Sequence, residues 1–115
     1  MKILVVDDEP MVCESMRMML ELDGHEMDEA YSGAEALDKL GGRRFDLVFT
    51  DFFMPGMRGD QFARELRGRT QDTPVVMVTG FPPNPTPSEV AKIVLKPFDL
   101  HSIRGILTQF RPTAR

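Results

Sequence analysis

Residues 1–8 read MKILVVDD, in which four consecutive apolar residues end at two adjacent aspartates. A short β-branched run without polar alternation is typical of a strand that is covered on both faces, as in a parallel sheet. Three later runs share this character, namely LVF at 47–49, VVMV at 75–78 and IVL at 93–95. A weaker strand candidate is EMDEA at 26–30. The pattern therefore predicts a sheet of five short strands.

Four helical patterns alternate with these strands. Pro10 suits the first turn of the first helix, because its missing N–H has no partner within the helix to lose. Ser32 and Glu35 have the spacing of a capping box, which predicts the start of the second helix. The predicted spans are about residues 10–22, from Ser32 to a stop at Gly41 and Gly42, about 60–67, and from near Asp99 onward. The side chains expected to face inward in the first two helices are Val12, Met16, Met19, Leu20, Ala34, Leu37 and Leu40.

Alternating strands and helices predict an α/β fold, a doubly wound five-stranded parallel sheet with helices on both faces. The region at 81–88 departs from this alternation, since prolines occupy four of its eight positions and a helix cannot run through it. The space before the strand at 93–95 admits at most about one helical turn. We therefore expect the fourth helix to be shortened or replaced by a proline-rich loop.

Length, charge and cysteine content narrow the class of protein. The 115 residues suit one domain, 1–115. A net charge of -4 lacks the basic footprint of a nucleic-acid binder. Cys13 is the single cysteine, which excludes an internal disulfide and a cysteine-based zinc site. No apolar run reaches membrane-spanning length or resembles a signal peptide, so the expected location is the cytoplasm without membrane contact.

Polar side chains follow the predicted strands at the points where the strands end. Asp7 and Asp8 follow the first strand, Asp51 follows the third, Thr79 ends the fourth and Lys96 follows the fifth. The carboxyl ends of parallel strands lie at one edge of the sheet, where α/β folds place their functional sites. We therefore expect three carboxylates, a hydroxyl and an ammonium group to converge there.

Such a cluster favours particular chemistry. Three neighbouring carboxylates repel one another, and a hard divalent cation with oxygen ligands, such as Mg²⁺, relieves the repulsion. A carboxylate can act as a nucleophile toward phosphorus and form an acyl phosphate. Lys96 and Thr79 supply a cation and a hydroxyl for phosphoryl oxygens.

These residues resemble a known family, the receiver domains of response regulators. The matching elements are Asp7-Asp8 after the first strand, Asp51 followed by Met54-Pro55-Gly56, Thr79-Gly80, and Lys96-Pro97-Phe98. The resemblance covers nearly the whole chain, in order and in approximate spacing. It implies a flavodoxin-like (βα)5 fold and a signalling switch that contributes to its own phosphorylation and dephosphorylation without being an enzyme in the ordinary sense.

The resemblance also implies a role for each matched residue. Asp51 would be the phosphoacceptor, Lys96 would bind a phosphoryl oxygen, and Thr79 would swing toward the phosphoryl group. The ligands of Mg²⁺ would be Asp7, Asp8, Asp51 and the backbone carbonyl of Phe53. Many receivers carry an aromatic switch residue three positions before the lysine, where this chain has Ile93. We therefore expect the signal to pass through Thr79 and the loop at 80–90.

The implied partners are a histidine kinase or histidine phosphotransfer protein as phosphoryl donor, and a downstream protein that the sequence does not identify. Receivers often use the fourth helix, fifth strand and fifth helix as an output and dimer surface. Because this region is altered here, we expect a monomer or a weak dimer.

Three alternatives differ in class. A phosphatase of the haloacid dehalogenase type normally needs a second aspartate two residues after the nucleophile, where this chain has Phe53. A flavin-binding flavodoxin-like protein would need a phosphate-cradling loop after the first strand, but the acidic residues 7–9 would repel a phosphate in the absence of a cation. A pseudo-receiver, a binding module that is never phosphorylated, remains the main alternative.

Overall fold

The computed structural model describes residues 1–69 and 72–112. Strands alternate with helices along the chain until the fourth connection, which is irregular. The elements are β1 (Lys2–Val6), α1 (Pro10–Leu22), β2 (Glu26–Ala30), α2 (Gly33–Gly42), β3 (Leu47–Thr50), α3 (Gly59–Gly68), β4 (Val75–Thr79), β5 (Lys92–Leu95) and α4 (Leu100–Gln109). Within this described part, no helix is both long enough and apolar enough to cross a membrane.

The five strands form one parallel sheet in the order β2-β1-β3-β4-β5. The chain moves outward from β1 to β2 and then crosses back to β3, so the strand order reverses between β1 and β3. In open α/β sheets, ligands bind outside the carboxyl ends of the strands at such a reversal. The predicted doubly wound, flavodoxin-like fold is confirmed, and the strand ends at this reversal are Val6 and Thr50, where the sequence predicts a site.

The core has two layers, one on each face of the sheet. Alternate residues of β1 divide between them: Leu4 and Val6 pack with α2 and α3, whereas Ile3 and Val5 pack with α1 and α4. All four side chains are buried. Each fully buried aliphatic side chain contributes roughly 1.5–3 kcal/mol to folding, so the central strands are held firmly from both sides.

The inward faces of the first two helices differ in part from the prediction. In α1, Met16 and Leu20 are buried as expected, but the third buried position belongs to Cys13 rather than to Val12. In α2, Ala36 is buried and Ala34 is exposed. Each prediction was off by one or two residues. Helical periodicity predicts how far apart the buried residues are, but it predicts less well how the helix is rotated about its axis against the sheet.

The start of α2 also differs in detail from the prediction. Its first turn is capped by the Ser32 hydroxyl, which accepts the Glu35 N–H at 3.1 Å, but the Glu35 carboxylate accepts the N–H of Tyr31 rather than that of Ser32. The helix ends at Gly42, as the expected stop at Gly41 and Gly42 predicted. The sequence located this helix correctly, whereas the hydrogen bonds at its ends depend on the surrounding chain.

The connection between β4 and β5 contains no helix, as the prolines predicted. Across residues 80–91, all of which the structure describes, the one buried side chain is Val90. The N–H of Ala91 donates to the carbonyl of Val75 at 2.8 Å, which returns the chain to the sheet for β5. The strand order places β5 at an edge of the sheet, and two of its four residues are exposed.

Candidate functional site

Backbone hydrogen bonds fix Asp7 and Asp51 side by side, one residue past the ends of their strands. The Asp7 N–H donates to the carbonyl of Ala30, and the Asp51 N–H donates to the carbonyl of Val6, each at 3.0 Å. The parallel pairing of the sheet therefore continues into the site. Both aspartates are buried.

Lys96 joins the two carboxylates. Its Nζ lies 3.1 Å from Asp7 Oδ2 and 3.3 Å from Asp51 Oδ2. Its backbone N–H donates to the carbonyl of Thr79 at 2.9 Å, which extends the pairing of β4 and β5 into the site. The ammonium group therefore lies between the ends of β1 and β3, although its own strand is at the far edge of the sheet.

The second oxygen of each buried carboxylate accepts a backbone N–H. Asp7 Oδ1 accepts the Glu9 N–H at 2.9 Å, and Asp51 Oδ1 accepts the Phe52 N–H at 2.8 Å. Each side chain is thus oriented by a short local bond on one side and by Lys96 on the other. Pre-oriented groups of this kind need little rearrangement when charge changes at the site.

Burial and charge act against each other in the ionisation of this cluster. Burial raises the pKa of the Asp7 carboxyl, while the Glu9 N–H and the Lys96 ammonium oppose that rise. Burial alone would lower the pKa of Lys96, but the carboxylates of Asp7 and Asp51 outweigh it and raise the pKa above its ordinary value. Lys96 is therefore firmly protonated at neutral pH.

A third carboxylate completes an arrangement that suits a hard cation. One oxygen each of Asp7, Asp8 and Asp51 lies within 4.8 Å of the others, and Asp8 is more exposed than its two neighbours. Oxygen donors from two or three carboxylates, open to solvent on one side, fit Mg²⁺, which usually keeps several of its waters. The set of residues present is thus compatible with the predicted ion.

The structure places Thr79 and Phe53 at the same edge of the sheet. Thr79 is buried, and its Oγ1 accepts the N–H of Phe81 at 3.2 Å. The rings of Phe53 and Phe81 are exposed and lie edge to face, with centroids 6.3 Å apart. The predicted site residues are therefore gathered at one edge, while the role of the Phe53 carbonyl and the swing of Thr79 stay predictions.

Gly59 belongs to this site, although no motif in the sequence pointed to it. Its N–H donates to the carbonyl of Phe52 at 2.8 Å, and a Cβ at this position would lie 2.1 Å from the carbonyl oxygen of Asp51. The first turn of α3 thus presses directly on the backbone of the central aspartate. No sequence signal indicated this contact, because the predicted third helix began at about residue 60 and glycine is common in the turns before helices.

A model of one protein family, the response regulator receiver domain, matches residues 3–108 of the chain. Response regulator MprA of Mycobacterium tuberculosis (strain ATCC 25618 / H37Rv) is 40% identical over 78 residues, which are 68% of this chain and 34% of MprA. The chain therefore spans about a third of the length of the curated relatives that it matches.

Solved structures agree with this match. Chemotaxis protein CheY4 of Vibrio cholerae is 29% identical and superposes with a TM-score of 0.87, covering 95% of this chain and 97% of that chain. Response regulator protein TrrA of Thermotoga maritima, solved in complex with Mg(2+)-BeF, is 31% identical. It superposes with a TM-score of 0.87, covering 95% of this chain and 97% of that chain.

Proposed function

Because the chain belongs to the response regulator receiver domain family, we propose that it is a phosphoacceptor switch of two-component signalling and that Asp51 takes the phosphoryl group. The observation that carries the assignment is the contact of Lys96 Nζ with Asp51 Oδ2 at 3.3 Å and with Asp7 Oδ2 at 3.1 Å. A buried carboxylate that an ammonium group already contacts has a partner for the charge that arrives with a phosphoryl group.

In the proposed reaction, a carboxylate oxygen of Asp51 attacks phosphorus. The bond between phosphorus and the donor's leaving atom breaks, the leaving group takes the electron pair, and an acyl phosphate forms on Asp51. The Lys96 ammonium moves from the carboxylate to a phosphoryl oxygen. The Thr79 hydroxyl turns toward the site and donates to another phosphoryl oxygen. This rotation breaks the hydrogen bond that Thr79 Oγ1 accepts from the Phe81 N–H.

Mg²⁺ supplies positive charge that offsets the charge of the phosphoryl oxygens when it is bound. Its protein ligands in this proposal are carboxylate oxygens of Asp7, Asp8 and Asp51 and the backbone carbonyl of Phe53. The spacing of the three carboxylates, within 4.8 Å of one another, supports the assignment. So does the complex of the similar protein TrrA with Mg(2+)-BeF.

The phosphoryl donor in this proposal is a histidine kinase or histidine phosphotransfer protein, and α1 is the surface on which it docks. Met11, Met18 and Leu22 are 79%, 71% and 69% exposed and lie on one face of α1. Met11 borders an open groove that reaches Lys96 and Phe98. Exposed apolar surface beside a site is typical of a contact with a partner protein.

A double substitution tests this docking surface. Met11→Asp combined with Met18→Asp should slow transfer from a phosphorylated histidine phosphotransfer protein at least about tenfold, because two charges would have to be buried at the contact. Labelling by acetyl phosphate, which needs no docking, should stay at the wild-type rate. Equal rates of transfer from the protein donor to variant and wild type would exclude this face.

The remaining parts of the proposal concern the whole chain. We assign 1–115 to one receiver domain that acts in the cytoplasm through contacts with other proteins and without binding nucleic acid directly. The irregular β4–β5 connection removes a helix from the surface that receivers often use for pairing, which supports a monomer or weak dimer. Sedimentation velocity at micromolar concentration tests this state, and a stable dimer there would contradict it.

The central test is incubation with acetyl phosphate, with and without Mg²⁺, followed by intact mass measurement. We expect the wild-type protein to gain one phosphoryl group only when Mg²⁺ is present. Asp51→Asn should abolish the gain, whereas Asp38→Asn, which changes an exposed carboxylate on α2, should not. Absence of a gain in the wild type would favour the pseudo-receiver alternative. Continuous release of inorganic phosphate at enzymatic rates would favour a phosphatase.

A further inference from the structure

Gly59 is the first residue of α3, and it lies against the backbone of the acceptor aspartate. A Cβ on Gly59 would lie 2.1 Å from the Asp51 carbonyl oxygen, 3.0 Å from the Asp51 carbonyl carbon and 3.2 Å from the Phe52 Cα. All three contacts are with backbone atoms, so no change of side-chain rotamer could relieve them. A side chain at this position would have to displace the loop or the helix.

The reason for glycine here is space rather than backbone conformation. Gly56, three residues earlier, has a positive φ of 84°, and a Cβ there would meet nothing within 4 Å, so its requirement is conformational. Gly68, at the other end of α3, also has nothing within 4 Å and has no positive φ. The close approach in α3 is therefore specific to Gly59.

The approach is held by a hydrogen bond on the same residue. The Gly59 N–H donates to the Phe52 carbonyl at 2.8 Å, while the Phe52 N–H donates to Asp51 Oδ1 at 2.8 Å. The Asp51 carbonyl in turn accepts the Thr50 hydroxyl at 3.0 Å. Gly59 thus holds the carbonyl of Phe52, the residue whose N–H orients the Asp51 carboxylate and whose carbonyl joins it to Phe53.

We propose that Gly59 is a positioning residue of the phosphoacceptor site: its missing side chain lets α3 close on residues 51–53 and sets the separation between the Asp51 carboxylate and the Phe53 carbonyl. This inference rests on the proposed function, in which both groups are ligands of Mg²⁺. Gly59 itself contacts neither the ion nor the phosphoryl group. It acts through the backbone of Asp51 and Phe52.

Gly59→Ala tests the proposal, with Gly68→Ala as a matched control in the same helix. We expect Gly59→Ala to raise the Kd for Mg²⁺ at least about tenfold by isothermal titration calorimetry, because a small displacement of a ligand is costly for an ion that demands near-ideal geometry. Its labelling by acetyl phosphate should be slow at low Mg²⁺ and should recover substantially at saturating Mg²⁺. Gly68→Ala should match the wild type in both measurements.

A folded Gly59→Ala variant with the Kd of the wild type would overturn the proposal. Should circular dichroism show that this variant does not fold, amide exchange on the wild-type protein decides the matter. Mg²⁺ should slow exchange of the Gly59 amide severalfold, because the ion restrains the loop to which that amide donates, and an unchanged rate would overturn the proposal. Failure of the wild type to gain a phosphoryl group would refute the proposed function instead, and the comparison of Mg²⁺ affinities would still test Gly59.

Discussion

At the scale of single residues, one ammonium group serves two buried carboxylates. Lys96 contacts Asp7 and Asp51, and these contacts raise its pKa even though burial acts in the opposite direction. The same two carboxylates are among the proposed ligands of Mg²⁺. In the proposed function, Lys96 and the metal ion compete for Asp7 and Asp51 before phosphorylation, and both stabilise the phosphoryl group afterwards.

Removal of this cation should strengthen the binding of Mg²⁺ but slow the transfer of the phosphoryl group. In Lys96→Gln, the Kd for Mg²⁺ should fall severalfold, because a positive charge beside the ion has gone. The rate of labelling by acetyl phosphate should fall about 100-fold, the usual effect of losing one group that stabilises a charged transition state. Calorimetry and a time course of intact mass measure the two effects.

Lys92→Gln is the matched control for that substitution. Lys92 lies in β5, the strand that leads to Lys96, but its Nζ contacts Gln109 rather than an acidic residue. Both the Kd and the labelling rate of this variant should equal those of the wild type. A labelling rate in Lys96→Gln that equals the wild-type rate would show that the ammonium group has no part in the transfer.

Individual residues differed in how far the sequence could predict their surroundings. The meeting of Asp7, Asp51 and Lys96 followed from one rule, that parallel strands bring their carboxyl ends to one edge. The close approach of Gly59 to Asp51 could not be predicted, because it depends on how deeply α3 packs against the loop that follows β3. That loop has no helical or strand periodicity from which its position could be inferred. The burial of Cys13 in place of Val12 was missed for a related reason, the phase of α1 against the sheet.

At the scale of elements, the β4–β5 connection replaces a helix with a loop that is tied to the site. The N–H of Phe81 donates to Thr79 Oγ1, and the ring of Phe81 lies against that of Phe53, two residues after the acceptor. The position used by many receivers for an aromatic switch holds the half-buried Ile93. These contacts support the hypothesis that the signal passes from the site to the surface through Thr79 and Phe81.

Phosphorylation should loosen this connection. When the Thr79 hydroxyl turns to the phosphoryl group, the Phe81 N–H loses its acceptor, so amide exchange across residues 80–91 should speed up severalfold. Hydrogen exchange read by mass spectrometry, before and after acetyl phosphate treatment, measures the change. Peptides from α4 serve as an internal reference, and Asp51→Asn should show no response. Equal rates of amide exchange across residues 80–91 before and after treatment would contradict this prediction.

At the scale of the whole molecule, repulsion among the carboxylates of the site lowers the free energy of unfolding of the domain. Three carboxylates are held within 4.8 Å of one another, and only Lys96 is seen to contact two of them among the described residues. Mutual repulsion of like charges at one edge disfavours the folded state relative to the unfolded chain, where the same groups are far apart. A bound divalent cation removes that repulsion.

Mg²⁺ should accordingly stabilise the entire domain. At a free concentration ten times its Kd, the ion should add about 1.4 kcal/mol to the free energy of unfolding and raise Tm by roughly 5 °C. Thermal melts in Mg²⁺ and in NaCl of equal ionic strength separate specific binding from screening. In Asp8→Asn, the metal-free protein should be more stable than the wild type and the gain from Mg²⁺ should shrink. Equal gains in both salts would contradict the prediction.

The loop that replaces a helix between Thr79 and β5 also affects how this domain can diverge. A helix in that place would have to keep an apolar residue at every third or fourth position, whereas residues 80–91 bury the side chain of Val90 alone. Surface loops tolerate substitution and insertion better than packed elements do. Substitutions in this loop can therefore change the exposed surface a few residues from Thr79 with little effect on folding.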